Sequence, residues 1–163
     1  MDSIEEELAG GEALLAKQDF QGAMQCFDKA LKSDPNAARA YFGKAEAALG
    51  IPRTPAEDIL AWYKKAVELD PQNTFYLTTM GSFCLEMGWF SEAEECYNRA
   101  TELDEENAPL YLSEFGIGYY MRAPVVMEKF LDQTTWRMIK RKSLEYLLRA
   151  IDTSAEQAKE MLG

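Results

Sequence analysis

The sequence predicts an all-α fold in which antiparallel helix pairs follow one another along the chain. Apolar residues recur through residues 4–107 at the i, i+3, i+4 and i+7 spacing of amphipathic helices. Short segments rich in glycine, aspartate and proline separate these stretches at regular intervals. One pair of this size cannot bury its apolar stripes alone, so the pattern indicates an array in which each pair packs on its neighbours.

Residues 74–107 show one unit of this array most clearly. Their first apolar series comprises Leu77, Met80, Gly81, Cys84 and Met87, and Gly88 ends it. After the turn, a second series at the same period comprises Ala93, Cys96, Tyr97, Ala100 and Leu103. Two amphipathic helices joined by a tight turn are therefore expected here.

The second helix of this unit has two counterparts upstream. Its alanine–aromatic–alanine core is first Ala23, Phe27 and Ala30, then Ile59, Tyr63 and Ala66, and finally Ala93, Tyr97 and Ala100. Tyr63 and Tyr97 lie 34 residues apart, and Pro35 and Pro71 lie 36 apart. A fixed period near 34 residues is typical of helical repeat arrays.

These residues resemble the tetratricopeptide repeat family. The small residue that the family places in each first helix is matched by Gly11, Ala45, Gly81 and Gly116. The resemblance implies a right-handed superhelical solenoid that forms a single domain over residues 1–163. It contains three clear repeats at about 4–37, 38–73 and 74–107, and a degenerate fourth with capping helices over 108–163.

The first helix is expected from Ser3 to about Lys17, because Ser3 and Glu6 form the pattern of a capping box. Gly10 and Gly11 lie within this helix, where each costs roughly 1 kcal/mol relative to alanine. The small-residue position of the family accounts for Gly11 and leaves Gly10 unexplained.

A helix at about residues 20–33 completes the first pair. The inner stripe of the next helix is expected to comprise Tyr41, Ala45, Ala48 and Leu49. The turn that follows, residues 50–55, is two residues longer than is usual in the family and is interpreted as a tolerated loop insertion. Thr54 is the predicted N-cap of the next helix, with Pro55 at the first helical position and Glu57 completing a capping box.

The fourth repeat carries an insertion. Ala150 lies 50 residues after Ala100, which is 16 more than the 34-residue period. The first helix of this repeat is expected at about residues 107–122, with Pro124 breaking the pattern. Residues 125–131 are compatible with a short helix inside the insertion.

A long helix is predicted to begin near Thr134 or Thr135. Its apolar and small residues are Trp136, Ile139, Ser143 and Leu147. A terminal helix at about residues 154–162 is expected to end the array, since one face of a terminal repeat must meet water.

Composition restricts the class of protein. A formal net charge of −11 argues against a nucleic-acid-binding protein, which normally carries a basic surface. No apolar run approaches the roughly 20 residues of a membrane span. The acidic start of the chain, residues 1–7, differs from a secretory signal, so a cytoplasmic location is expected.

No constellation for catalysis, metal binding or cofactor binding stands out. The chain has no histidine, which removes the commonest general base and metal ligand. Cys26, Cys84 and Cys96 lack metal-site spacing and are expected to be free thiols in the core. The acidic clusters at residues 92–95 and 104–106 lack the spacing of a calcium loop. The expected protein is therefore not an enzyme.

The resemblance implies that the first helix of each pair lines a concave groove. The side chains expected there are Leu8, Glu12, Arg39, Phe42, Glu46, Phe75, Thr78, Ser82, Leu110, Ser113, Ile117 and Tyr120. This mixture of apolar and acidic residues favours a basic or amphipathic peptide. Phe42, Phe75 and Tyr120 are the expected apolar anchors, and Glu12 and Glu46 the acidic contacts. Coverage of the groove by the chain's own insertion or terminal helix is the alternative.

One branch of the family clamps the C-terminal carboxylate of heat-shock chaperones with Lys, Asn, Asn, Lys and Arg. The corresponding positions here are Leu8, Glu12, Gly43, Phe75 and Thr79. One repeat further on they are Phe42, Glu46, Thr79, Leu110 and Glu114. Neither set supplies a cation, so no such clamp is expected.

The leading hypothesis is a non-catalytic adaptor or scaffold that binds another protein or peptide. One alternative is self-association through an end face or the region of Trp136. Another is a chaperone of the secretion type, although such chaperones usually carry extra N-terminal helices. Residues 122–142 carry a charge of +4 against −15 elsewhere. This segment is interpreted either as a solvated helix face that pairs with acidic repeats or as a docking patch for an acidic partner.

Overall fold

The helices of the chain follow the predicted repeats closely. A computed structural model describes residues 3–151, 157, 160 and 163. Within this part, the α-helices are α1 (Ser3–Ala16), α2 (Phe20–Ser33), α3 (Ala38–Leu49), α4 (Ala56–Leu69), α5 (Thr74–Met87), α6 (Phe90–Leu103), α7 (Ala108–Val126) and α8 (Gln133–Ala150). A 3₁₀ turn, Glu128–Phe130, separates α7 from α8, and the described residues form no strand. The chain divides into an N-terminal unit, residues 1–76, and a C-terminal unit, residues 77–163.

In the N-terminal unit, α1 packs on α2, α2 on α3, and α3 on α4. Phe27 of α2 is fully buried between the first helices of the two pairs. A Cβ atom at Gly11 would lie 2.7 Å from the Phe27 ring, and one at Gly43 only 2.3 Å from it. The aromatic ring therefore fits into notches that only glycine provides. Gly11 is the predicted small residue of α1, whereas the glycine notch of α3, Gly43, lies two residues before the predicted Ala45. A Cβ atom at the neighbouring Gly10 would meet Cys26 Sγ at an ordinary 3.8 Å, so packing does not require that glycine.

The C-terminal unit repeats this arrangement. Tyr97 of α6 is buried, and a Cβ atom at Gly81 would lie 2.9 Å from its ring. Helix α7 packs on both α6 and α8, and the fully buried Phe115 lies 4.4 Å from the Tyr146 ring, centroid to centroid. The buried Ser143 hydroxyl donates a 2.7 Å hydrogen bond to the Gly116 carbonyl, which holds the backbone of α8 close to that of α7.

Each of the three clear repeats ends in an aspartate that organises the turn to the next helix. Asp34 Oδ1 accepts a hydrogen bond from the Asn36 backbone N–H at 2.9 Å, and Asp104 accepts one from the Asn107 N–H at 3.2 Å. Asp70 accepts from the Asn73 side-chain amide at 2.9 Å. Aspartate favours such turns because its short side chain bonds to nearby backbone. Asp34 and Asp70 each precede the proline that closes a repeat. Asp104 keeps this position in the third repeat, where Glu105 replaces the proline.

The prediction for the start of α4 is wrong by one residue. Pro55, not Thr54, is the N-cap, and it makes no side-chain capping bond. The Thr54 hydroxyl instead donates to the Ile51 carbonyl at 3.0 Å and so stabilises the longer turn. Leu49 also differs from its prediction, since it is 54% exposed at the end of α3 rather than part of the inner stripe.

Pro124 does not end α7, which continues to Val126. A proline in a helix loses one bond to the carbonyl four residues before it. Ala123, just before the proline, is fully buried. Val126 contacts Gly88 so closely that a Cβ atom on Gly88 would lie 2.8 Å from Val126 Cγ1. This packing offsets the lost hydrogen bond. The short helix expected at residues 125–131 is therefore reduced to the 3₁₀ turn.

Helix α8 begins at Gln133, one residue before the predicted start. Asp132 is its N-cap, and the carboxylate accepts a 2.7 Å hydrogen bond from the Thr135 backbone N–H. The terminal helix expected at residues 154–162 lies outside the described residues. Cys84 and Cys96 are buried, as predicted, whereas Cys26 is only half-buried.

Candidate functional site

The predicted groove residues of α1 and α3 are largely engaged in contacts within the N-terminal unit. Leu8 is only 4% exposed and belongs to the core, so it differs from the prediction of a groove-lining residue. Arg39 donates from Nε and Nη2 to the two carboxylate oxygens of Glu12 at 2.7 and 3.0 Å. Its Nη1 donates to Glu5 Oε2 at 3.0 Å. The hydrogen bond from Arg39 lowers the pKa of Glu12 against the opposing effect of burial, and Glu12 in turn raises the pKa of Arg39.

Glu46 and Phe42 also have internal partners. Glu46 accepts a short hydrogen bond from the Tyr63 hydroxyl. The ring of Phe42 stacks on Tyr76 with centroids 4.5 Å apart and lies 5.3 Å from the ring of Phe75. Phe75 is 63% exposed. The accessible feature among these residues is therefore an aromatic surface, Phe42 and Phe75, and the two predicted acidic contacts are already used by the fold.

The C-terminal unit brings five predicted groove residues together around a depression of about 630 Å³, which we call the C-terminal groove. These five residues are Thr78, Ser82, Leu110, Ser113 and Ile117, and the remaining lining residues are Thr79, Leu85, Glu86, Tyr97, Glu114, Gly118 and Arg122. Leu110 and Ile117 are 53% and 51% exposed. The groove thus combines accessible apolar side chains from α7 with a row of hydroxyl groups.

The charges in this groove differ in their availability. Arg122 donates from Nη2 to the Glu86 backbone carbonyl at 2.7 Å, and its Nε lies 3.4 Å from the Glu86 carboxylate. Glu114 makes no ion pair with any described residue, and partial burial raises its pKa. Tyr97 lies at the base of the groove, where burial raises the pKa of its phenol. The groove therefore offers one carboxylate to a ligand.

Glu86 and Arg122 were not predicted as lining residues. Glu86 lies four residues after Ser82, and Arg122 lies five after Ile117, so both extend the predicted rows by about one helical turn. Arg122 was predicted as part of the basic segment 122–142 and not of the groove, because α7 was expected to end there. Correct bounds for α7 would have been the signal.

Tyr120 was predicted to line the groove, but it is not among the residues around the C-terminal groove. Together with Ile117 it lines a depression of about 340 Å³ against Lys140, Ser143, Leu144 and Leu147 of α8. It also borders a second depression of about 530 Å³, whose other lining residues are Gln133, Trp136, Arg137 and Lys140. We call these two adjoining depressions the α7–α8 cleft.

The described residues form neither a metal centre nor a membrane-spanning helix. Residues 3–151 and the three described positions beyond them contain no cluster of three or more Cys, Asp or Glu side chains that could bind a metal ion. None of the helices in this part combines the length and apolarity that crossing a membrane requires.

Paired helices with aromatic residues seated in small-residue notches define a helical repeat protein of about 34 residues per repeat. The chain belongs to the tetratricopeptide repeat family, whose models match residues 8–74 and 76–107. Members of this family are typically non-catalytic interaction modules. The predictions of the family, and of a protein-binding rather than enzymatic role for the repeats, are thereby confirmed.

Relatives with known names share this repeat content. The chain is 31% identical over 101 residues to the STIP1 homologue of Dictyostelium discoideum, and 28% identical over 103 residues to Hsp70-Hsp90 organizing protein 3 of Arabidopsis thaliana. It is 25% identical over 164 residues to a TPR repeat-containing protein of Methanocaldococcus jannaschii. These alignments cover 61%, 63% and 91% of this chain but only 17%, 18% and 27% of the relatives.

Solved structures show the same fold. Two crystal structures of MamA superpose on 98% and 93% of this chain with TM-scores of 0.62 and 0.57. The superpositions cover 85% and 96% of the MamA chains. Sequence identity is 19% in both cases, so the likeness concerns the fold alone. The predicted fold class, an all-α tetratricopeptide repeat solenoid, is confirmed.

Proposed function

We propose that this chain is an adaptor that binds a basic peptide or basic amphipathic helix of a partner protein in the C-terminal groove. The observation that carries the proposal is the gathering of five predicted lining residues around one depression with an unpaired carboxylate. Exposed Leu110 and Ile117 supply the apolar contact area for such a ligand.

Glu114 supports the basic character of the ligand. Glu114 is exposed on α7 and has no described ion-pair partner, so a lysine or arginine side chain of the ligand can pair with it. Glu12 and Glu46, the acidic contacts expected from the sequence, are bonded to Arg39 and Tyr63 and are less available to a ligand. Phe75 is a separate apolar contact on the N-terminal unit.

Binding of a chaperone C-terminal tail is not part of the proposal, although the name of one relative refers to Hsp70 and Hsp90. A carboxylate clamp needs cations, and the positions that correspond to the clamp hold none. Two of these positions, Leu8 and Gly43, are also buried. We therefore expect amidation of a peptide's C-terminus to leave its affinity unchanged.

The proposal can be tested by fluorescence anisotropy with a fluorescein-labelled 15-residue peptide that presents leucines on one helical face and lysines on the other. We expect Leu110→Ala/Glu114→Gln to weaken binding by about tenfold, through lost apolar contact and a lost ion pair. Glu95→Gln, which removes an exposed carboxylate of α6, is the control for charge. Equal affinity of the double variant and the unmodified chain would refute the C-terminal groove as the site, whereas a loss confined to Phe75→Ala would move the site to the N-terminal unit.

A further inference from the structure

The α7–α8 cleft has two parts of different chemistry. Leu144 and Leu147 of α8 and Ile117 of α7 line the smaller depression, which is almost wholly apolar. The larger one contains the side chains of Arg137, Lys140 and Trp136. Tyr120 and Lys140 border both parts, so the two depressions adjoin. An apolar depression therefore lies directly beside a cationic one.

The cations of this region fall into two groups. Arg122 and Lys142 are bound by Glu86 and Glu94 within the C-terminal unit, as expected for a segment that pairs with acidic repeats. Lys129, Arg137, Lys140 and Arg141 are exposed and form no ion pair with any described residue. Four unpaired cations on a chain of net charge −11 form a local positive surface that an acidic ligand would neutralise.

The Lys140 ammonium group contacts the aromatic ring of Trp136. Its Nζ lies 5.5 Å from the centre of the Trp136 ring, within the range of a cation–π interaction. The Trp136 ring in turn lies 6.2 Å from that of Tyr120. These contacts place the ammonium group at the junction of the two depressions.

We propose that the α7–α8 cleft is a second interaction site, which binds an acidic amphipathic helix of a partner protein. One apolar side chain of that helix enters the smaller depression, and a carboxylate pairs with Lys140 and Arg137. Lys140 and Leu144 are four residues apart on α8, about 6 Å along the helix axis. A ligand helix with an apolar residue and a glutamate at i and i+4 matches this separation.

A symmetric contact with the same face of a second copy is disfavoured. It would bring the unpaired cations of both copies together, and like charges oppose each other across an interface. The complementary charge must therefore come from an acidic surface. This site shares Ile117 with the C-terminal groove, but the groove favours a ligand of the opposite charge.

The test uses the full chain and two fluorescein-labelled peptides with identical leucines, one carrying glutamate and the other glutamine at the polar positions. We expect the glutamate peptide to bind about tenfold more tightly at low salt, and this advantage to shrink at 0.5 M NaCl. Arg137→Gln/Lys140→Gln should abolish the advantage. Lys32→Gln/Lys64→Gln is the matched control, because it removes two exposed lysines of the N-terminal unit and changes the net charge equally.

Further variants separate the alternatives. Tyr120→Ala/Leu144→Ala should weaken both peptides, whereas Leu110→Ala/Glu114→Gln should affect neither, so this proposal and the proposed groove can fail independently. Equal binding of the two peptides, or an equal loss in the control variant, would overturn the α7–α8 cleft as an acidic-helix site. Light scattering provides a further test. If the chain assembles as its concentration rises, and Arg137→Gln/Lys140→Gln abolishes this assembly, the α7–α8 cleft binds a second copy and the proposal is overturned.

Discussion

The two units of the chain use similar polar residues for different purposes. In the N-terminal unit, Arg39 binds Glu5 and Glu12, so the predicted groove charges hold α1 against α3. In the C-terminal unit, Glu114, in the C-terminal groove, has no partner among the described residues. The same holds for Arg137, in the α7–α8 cleft. A charge that the sequence assigns to a binding surface is thus available only if the neighbouring repeat does not supply its counterpart.

The two cores, in contrast, are expected to be equivalent. Phe27 and Phe115 are both fully buried, so Phe27→Ala and Phe115→Ala should each lower the free energy of unfolding by about 3–5 kcal/mol. Urea unfolding followed by circular dichroism measures both. Phe75→Ala removes an aromatic ring of the same size that is mostly exposed, and it should change stability far less. A small effect at Phe115 alone would show that the C-terminal unit is the more loosely packed of the two.

Adjacent glycines in α1 offer a sharper test of the repeat packing. Gly11→Ala should destabilise the chain by about 1–3 kcal/mol, because its Cβ atom would lie 2.7 Å from the buried Phe27 ring. Gly10→Ala should stabilise it by up to about 1 kcal/mol, since alanine favours a helix and the nearest atom, Cys26 Sγ, is 3.8 Å away. Thermal unfolding of the two variants should therefore shift in opposite directions. Shifts of the same sign would contradict the assignment of Gly11 as the notch.

Much of the fold follows from the sequence because the repeat spacing fixes which residues face the core. The bounds of α2 agree with the prediction, and Phe27, Tyr63 and Tyr97 are buried in corresponding positions. The errors concern the places where local signals compete with tertiary packing. Pro124 is a helix breaker by itself, but the packing of the buried Ala123 and the contact of Val126 with Gly88 keep α7 intact.

The candidate site was less predictable, because position on a helix face does not reveal what a neighbouring helix provides. Leu8 was expected at the surface and is buried in a core cluster with residues of α2 and α3. Ile117 lines both the C-terminal groove and the α7–α8 cleft, whereas Tyr120, three residues later, lines the cleft because α8 packs beside it. Both outcomes depend on how closely helices approach, which the repeat period alone does not specify.

The ion pairs of Arg39 should contribute modestly to stability. The Arg39 side chain is 42% exposed, so solvent screening limits the expected loss in Arg39→Ala to about 1 kcal/mol or less. Arg137→Ala, without a described partner, should change stability even less. The hydrogen bond from Arg39 lowers the pKa of Glu12, so its stabilising effect is present above about pH 4.5 and lost as the pH falls through the lowered value. Chemical denaturation at pH 7 and pH 3 should show a smaller difference between wild type and Arg39→Ala at the lower pH.

Glu114 should make the C-terminal groove mildly sensitive to pH. Burial raises its pKa above the ordinary 4.5, so it gains a proton earlier than an exposed glutamate as the pH falls. The affinity for a lysine-rich peptide should therefore decrease by a few-fold between pH 7 and pH 4, the size expected for one partly exposed ion pair. Glu86 lines the same groove and is paired with Arg122, so Glu114→Gln is the variant that isolates the effect. Anisotropy titrations of that variant should show no such decrease, and a decrease of equal size would assign the pH dependence to another group.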